Sequence, residues 1–485
     1  MKLDSVPAAR VQPIREAPVR AEGDYILYWM TASRRAGWSF ALQRALDWCV
    51  ELKKPLLVLE GLRAGHRWAC DRFHRFVLDG MADNAARFAE AGAGYLGYVE
   101  PRRRAGRGLL AALAERACVV VTDDFPEFFL PFAVEAALPQ VPVRFERVDS
   151  AGLLPMRVPG RTFTSARFFR LYLQRNLKAQ LVAPAANPFA RRRIPRFVRL
   201  PRQIASRWPS ESRIGRLPID HGVGPVAGLQ GGSRAAGRVL ADFLDRKLER
   251  YAQDHNSPDA DIGSGLSPYL HFGHVSTHEV LAALAKRTGW TEDSIDEKPR
   301  GGSRGWWGLD ENGEAFLDEL VVWRELGFNF CAHRSDAGEL ESLPRWALAS
   351  LRAHQKDKRE FVYSLEEFEQ AATHDELWNA AQRQLVREGR IHNYLRMLWG
   401  KKVLEWTRTP EDALEILVEL NNKYALDGRD PNSYSGILWV FGRYDRPWFE
   451  RPIFGNVRFM SSQATRRKVP LKGFLAKFGP GDPKS

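Results

Sequence analysis

The first third of the chain alternates short apolar runs with amphipathic stretches. Five runs read as strands: Tyr25–Met30, Pro55–Glu60, Gly94–Glu100, Cys118–Asp123 and Val141–Val148. Their near-continuous Leu and Val content, as in "LLVL" and "CVVV", suits strands buried on both faces. Helix-period stretches such as Phe40–Leu52 and His66–Ala91 lie between them. This rhythm predicts a doubly wound parallel sheet.

From about Arg234 onward the period changes to 3.6. Apolar stripes run through Ala235–Gln253, His278–Arg287, Glu314–Asn329, Leu365–Ala371, Leu377–Glu388, Ile391–Trp406 and Pro410–Tyr424. Thr409 and Pro410, followed by acids, form a strong helix start. The expected fold class is therefore an α/β domain followed by an all-α domain. The expected boundaries are a flexible arm at 1–20, the α/β domain at 21–150, and a Pro/Arg-rich linker at 151–232. That linker contains a helix-like piece over Thr164–Leu181. The helical domain follows at 233–485.

Composition narrows the class. Of 485 residues, 44% are apolar and 27% charged, enough for large cores and unlike a disordered chain. No apolar run is long enough to span a bilayer. The net charge is +13, and it is unevenly spread. Residues 189–216 hold nine arginines and one acid, and residues 441–485 hold ten Arg or Lys and three acids. Cations interleaved with Tyr444, Trp448, Phe449, Phe454 and Phe459 suit a splayed nucleic-acid strand, and equally the edge of an ordinary core. Cys49, Cys70, Cys118 and Cys331 are scattered, as in a reducing compartment. The first 20 residues lack an apolar signal core, so a cytoplasmic protein is expected.

Several patterns fail on context. Gly92-Ala93-Gly94-Tyr95-Leu96-Gly97 matches the dinucleotide spacing but enters a strand instead of opening a helix. Gly301-Gly302-Ser303-Arg304-Gly305 lacks the strand that a nucleophile elbow requires. His271, His274 and His278 have no carboxylate or thiolate company, so no metal site is assigned.

Other patterns hold. Ser264, Gly265, Leu266 and Ser267 precede Pro268 as at a helix start, and their free N–H groups could cradle phosphate or simply cap. Glu325, followed by Leu326 and Phe328, sits in an apolar setting. It is either a carboxyl with a raised pKa or the partner of an arginine. Arg396 lies on an amphipathic helix and would be costly to bury alone, and Asp427 is a candidate partner. Trp399 and Trp406 share a helix face about 10 Å apart, and Trp378 on the preceding helix could stand between them. Three such indoles are more often core than a redox chain.

The segments "SGLSPYLHFG", "FLDELVVWRE", "THDELWNAAQRQLVREGRIHNYLRM", "YALDGRDPNSY" and "DRPWFERPIFGNVRFMS" together resemble the photolyase/cryptochrome family. The similarity is greatest to the class II cyclobutane pyrimidine dimer photolyases. It is dense from Leu266 to Lys468 and weaker over 24–150. Asn393 stands where that class has Gly, Leu398 where it has Tyr, and residues 297–313 form an insertion.

The resemblance implies FAD in the helical domain, active as FADH⁻. Tyr251, Ser264, Gly265, Leu266 and Ser267 would hold its phosphates and ribityl chain. Trp323, Asn393, Arg396 and Asp427 would complete the site, with Asn421 facing flavin N5. Trp399, Trp378 and Trp406 would be the proximal, middle and distal members of an electron chain. Light would drive an electron to a flipped-out pyrimidine dimer in UV-damaged DNA, and Glu325 would stabilise its radical anion. Met397, Trp439 and Trp448 would line the lesion pocket. Arg458 would occupy the hole left in the duplex or hold the flipped strand, and Arg451, Arg466 and Arg467 would contact phosphates. A second antenna chromophore, a deazaflavin or a folate, is allowed but not identified. A monomer without an obligate protein partner or membrane is expected. A cryptochrome-type photoreceptor, a photolyase for the (6-4) product, and a basic DNA-binding scaffold without flavin are the alternatives.

Overall fold

The computed structural model describes residues 5–190, 192–211 and 213–480. The described chain forms two compact units. One comprises residues 1–158, 177–240 and 266–287, and the other 159–176, 241–265 and 288–485.

The first unit is built on a six-stranded sheet in the order β1-β6-β5-β2-β3-β4. The strands are β1 Val11–Arg15, β2 Tyr25–Met30, β3 Leu56–Leu62, β4 Gly94–Val99, β5 Ala117–Asp123 and β6 Phe145–Val148. All pairs are parallel except β1 with β6. Alternation sorts the side chains by face. Ile26, Tyr28 and Met30 join one buried cluster with the helix Phe40–Leu52, and Tyr25 and Leu27 join another on the opposite face. Both faces are covered, which is why the strands read as continuous apolar runs.

Three expectations need correction here. The arm at 1–20 is not loose where it is described. Residues 11–15 pair antiparallel with β6 and satisfy its free edge. Arg10 is buried and donates to the carbonyls of Gly152, at 3.1 Å, and Leu153, at 2.5 Å. The strand expected over Val141–Val148 begins only at Phe145, because a 3-10 turn at Leu138–Gln140 and the donor-less Pro142 precede it. The stretch from 177 to 232 is not a free linker. Phe197 donates its N–H to Gly92 O (3.0 Å), and Ser210 Oγ accepts from Val99 N (2.8 Å).

The second unit is helical. Its core gathers Trp378, Trp399 and Trp406 with aliphatic residues of the surrounding helices. Helix starts follow local capping chemistry. Thr409 and Asp412 form a capping box, as do Ser364 and Glu367. Asp375 accepts from the N–H groups of Leu377 and Trp378, which fixes the start of the helix Glu376–Glu388. Gly389 ends that helix at φ 64°, where a side chain would be strained.

The helix expected over Glu314–Asn329 is interrupted. Glu311–Leu317 and Arg324–His333 are α-helical, and Asp318–Trp323 between them is π-helical. The wider π turn accommodates one extra residue and shifts the face on which every later side chain lies. A 3.6-residue period cannot foresee that shift.

Candidate functional site

The site lies in the helical unit. The helix Asn393–Glu405 is buried almost all round: Tyr394, Leu395, Leu398, Trp399, Val403 and Leu404 are core. One stripe is not. Asn393 is exposed, and Arg396 and Met397 are partly exposed. These positions recur at i, i+3 and i+4 and so share a face. Arg396 Nη2 donates to both oxygens of Asp427, at 3.2 and 3.3 Å. The two side chains retain 28% and 19% exposure, so the pair borders an open face and is not sealed in the core. Asn421, near the end of the helix Pro410–Tyr424, is buried and donates to Asn422 Oδ1 at 3.3 Å.

The start of this helix is tied to an earlier segment. Arg390 forks onto both carboxylate oxygens of Asp261, at 2.8 and 2.9 Å. His392 is buried, which lowers its pKa to about 4 and keeps the ring neutral. Its Nδ1 has no hydrogen-bond partner.

The structure places Tyr251 in an aromatic nest with Phe243, Phe316 and His255. Burial, and then the charge of Glu319, hold its hydroxyl well above the usual phenol range. Ser264 is partly exposed and Gly265 is exposed. Leu266 and Ser267 fall in the other compact unit. Leu266 is buried there, and Ser267 is exposed at the start of the short helix Ser267–His271. Gly265 has φ 70°, so a side chain at that position would be strained.

The three tryptophans come together. The rings of Trp378 and Trp399 lie 6.3 Å apart and nearly parallel, and those of Trp378 and Trp406 lie 6.2 Å apart. Trp378 therefore bridges two residues of the next helix region. Two of the buried indoles have polar partners. Trp378 Nε1 donates to Trp399 O, and Trp399 Nε1 donates to Gln382 Oε1, both at 3.0 Å. Trp399 is one turn from Arg396 on the same helix, so the run of rings begins beside the open face.

A second constellation adjoins it. The helices Arg324–His333 and Pro431–Val440 pack against each other, and contact is close at Gly327, where an added Cβ would meet Ser435 Oγ at 2.9 Å. Cys331 lies by Pro431 O, at 3.9 Å, so the crossing is antiparallel. By that register Trp323 and Glu325 come to the Trp439 end. Glu325 is buried and Trp323 partly so. Arg458 stands 5.6 Å from the Trp439 ring and 4.3 Å from the Trp448 ring. Asp445 grips Arg458 at 2.7 and 3.2 Å and also accepts from Trp448 Nε1. Arg451 stands over Phe459, and Arg466 and Arg467 are exposed on the helix Ser462–Lys468.

No family model matches the chain. Among curated proteins, it is 34% identical over 469 residues to the deoxyribodipyrimidine photo-lyase of Methanothermobacter thermautotrophicus, covering 96% of this chain and 97% of that protein. The chain belongs to the deoxyribodipyrimidine photo-lyase family. Family members of the same name from Oryza sativa subsp. japonica and Potorous tridactylus are 32% and 40% identical, over 94% and 55% of this chain and 87% and 47% of theirs. The fold is likewise that of a solved family structure. A bacterial class III photolyase from Agrobacterium tumefaciens superposes with a TM-score of 0.67 at 18% identity, over 96% of this chain and 87% of that one.

Three residues of the helical unit with unusual surroundings escaped sequence reasoning. Lys401 is fully buried. Its Nζ donates to Val440 O at 2.5 Å and stands 4.9 Å from the Trp439 ring. Burial, with Arg458 nearby and Asp445 opposing, lowers its pKa to about 7. Glu319, in the π-helical stretch, is raised to about 7 by burial and by Asp318. Gln382, which orients Trp399, is the third. Lys and Gln on helices read as solvated by default, and only their place among neighbours shows otherwise. Among the described residues, no cluster of three or more His, Cys, Asp or Glu could hold a metal ion, and no helix is long and apolar enough to cross a membrane.

Proposed function

We propose that this protein is a light-driven DNA repair lyase that splits cyclobutane pyrimidine dimers, with FAD as its cofactor. The observation that carries this reading is the pairing of two constellations on one helix system. The open Arg396–Asp427 face begins a run of three indoles. Beside it, Trp439, Arg458 and Trp448 form an aromatic–cation stack at the Glu325 end of the adjoining helix.

FAD, reduced and excited by blue light, would supply the electron that opens the dimer. Asn393, Arg396, Met397 and Asp427 would hold it along the open helix face. Tyr251 would act there as a wall of the aromatic nest, and Ser264 and Gly265 would offer backbone N–H groups to its phosphates. Asn421 would present its amide to the ring. Trp323 would close the side toward the lesion.

The remaining residues do the work on DNA. A crosslinked pyrimidine pair stacks poorly, so extruding it costs less than extruding intact bases. Trp439 and Trp448 offer stacking surfaces to the extruded pair. Arg458, already oriented by Asp445, supplies a cation for the strand or for the vacated position. Glu325, as a neutral carboxyl, would hydrogen-bond a pyrimidine carbonyl and favour its reduced form. Arg451, Arg466 and Arg467 neutralise phosphates on either side. Trp399, Trp378 and Trp406 relay electrons inward when the cofactor must be reduced.

The test is blue-light treatment of an oligonucleotide carrying one defined thymine dimer, with pre-reduced protein and a dark control. Light-dependent recovery of intact thymines is expected. A bound, photoreducible flavin without repair would instead point to signalling or to a different lesion.

A further inference from the structure

The α/β unit carries a second basic surface, distinct from the residues assigned above. Its frame is the free edge strand β4. The segment from Arg196 to Glu211 runs along this strand from one end to the other. At the start, Phe197 N donates to Gly92 O at 3.0 Å, and the Phe197 ring covers Gly94 so closely that an added Cβ would lie 2.5 Å from it. At the far end, Ser210 Oγ meets Val99 N at 2.8 Å and Gly97 O at 3.3 Å, and Glu211 N donates to Val99 O at 3.1 Å. Between these anchors Ile204 and Trp208 are buried in the sheet's core. Strand β4 has six residues, so the anchors hold the segment over about 20 Å.

Anchoring by apolar and backbone groups leaves the arginines outward. Arg196, Arg199, Arg202, Arg207 and Arg216 are exposed. The loop that follows β4 adds Arg102, Arg103, Arg104 and Arg107, also exposed. Loop and segment are joined, because Trp208 Nε1 donates to Arg107 O at 3.2 Å. The two nearby acids do little to neutralise this charge. Glu211 pairs with Arg213 at 3.3 Å. Glu100 is buried and accepts from the N–H groups of Ala64 and Gly106. Arg102, Arg199 and Arg202 have no ion-pair partner among the described residues.

We infer that this strip along β4 is a second DNA-binding surface, which holds duplex through its phosphates without reading sequence or damage. The inference rests on the reading of the substrate as DNA. A row of unpaired guanidinium groups of this length can face several phosphates, which come once per about 3.4 Å of helix axis on each strand. Arginine suits the task because its fork pairs with phosphate oxygens and it is always charged.

The test is a salt titration of binding to undamaged and dimer-containing duplexes by the flavin-loaded protein and by R102Q/R199Q/R202Q. Loss of three phosphate contacts should lower the slope of log K against log salt by about 2.7. Affinity should fall by the same factor for both duplexes. The corresponding lysine variant should restore the slope, and repair of saturating dimer at low salt should be unchanged. Unchanged slope and affinity would overturn the inference and leave the arginines as charge that blocks edge pairing. A loss confined to damaged duplex, or to single-stranded RNA, would overturn it as well. Wild-type protein that binds duplex with the full slope yet repairs nothing in light would sink the repair reading alone.

Discussion

The ring of Trp378 lies 6.3 Å from that of Trp399 with only 8° between their planes, and its Nε1 donates to the Trp399 backbone carbonyl. Stacking and hydrogen bond together fix the middle ring of the run. Trp378→Phe keeps an aromatic but removes the indole donor to the Trp399 carbonyl, which should cost about 0.5–1.5 kcal/mol. Photoreduction of bound flavin should slow sharply, and repair by chemically reduced protein should persist. Transient absorption after a laser flash separates the two. Unchanged photoreduction would mean that electrons travel elsewhere.

Glu325 is buried at the end of the helix crossing that faces Trp439. Glu325→Ala should lower repair per absorbed photon while leaving photoreduction intact. A preorganised donor lost from a developing anion typically costs about 10²-fold in rate, enough for electron return to compete with ring opening. Dimer repair yield against absorbed light measures this. A wild-type yield would remove Glu325 from the chemistry.

The Arg396–Asp427 pair is partly exposed, with side chains 28% and 19% accessible. Its direct contribution to folding should therefore be at most about 1 kcal/mol. Its contribution to flavin retention should be much larger. Asp427→Ala is expected to lose cofactor on dialysis, seen in the visible absorbance, with little change in the flavin-free melting temperature. Retention equal to wild type would refute the assignment.

Arg458 is held between Trp439 and Trp448 by Asp445. Arg458→Ala should weaken binding to dimer-containing duplex more than to undamaged duplex. Arg466→Ala and Arg467→Ala should weaken both equally and lower the salt slope by about one each. Competition binding with the two duplexes decides this, and equal losses for Arg458→Ala would sink its lesion role.

Lys401, fully buried, and Glu319, partly buried, predict an unusual pH profile of stability. Lys401 is lowered from 10.5 to about 7. Between those values the unfolded chain binds the extra proton, so stability rises with pH, by at most about 1.4 kcal/mol per unit. Glu319 is raised from 4.5 to about 7. Across that window the folded chain binds the extra proton, so stability falls as pH rises. Together they place a minimum near pH 7. Lys401→Met should flatten the alkaline rise and Glu319→Gln the acid-side fall, as read by denaturant midpoints across pH. A wild-type profile without either limb would contradict the burial of both charges.

How legible the site was depended on chemistry of two kinds. Trp378, Trp399 and Trp406 could be named from spacing because a helix repeats every 3.6 residues and indoles are scarce. Arg396 and Asp427 could be paired because a lone charge on an apolar stripe demands a partner. Lys401, Gln382 and Glu319 could not, since the same residue types on a helix normally face water. The π-helical stretch at Asp318–Trp323 was hidden for a similar reason: its apolar residues fit an ordinary helix, and only packing inserts the wider turn.

The strands β2 to β5 and the long helices were written in local order, in apolar runs, periodicity and caps that act within a few residues. Family motifs from Leu266 to Lys468 carried the candidate site. Tertiary structure decided what local order could not. It recruited residues 11–15 to pair with β6 and pinned residues 196–211 along β4. It also set the Trp439–Arg458–Trp448 stack, because an edge strand's hydrogen bonds and a buried charge's partner are supplied by distant parts of the chain.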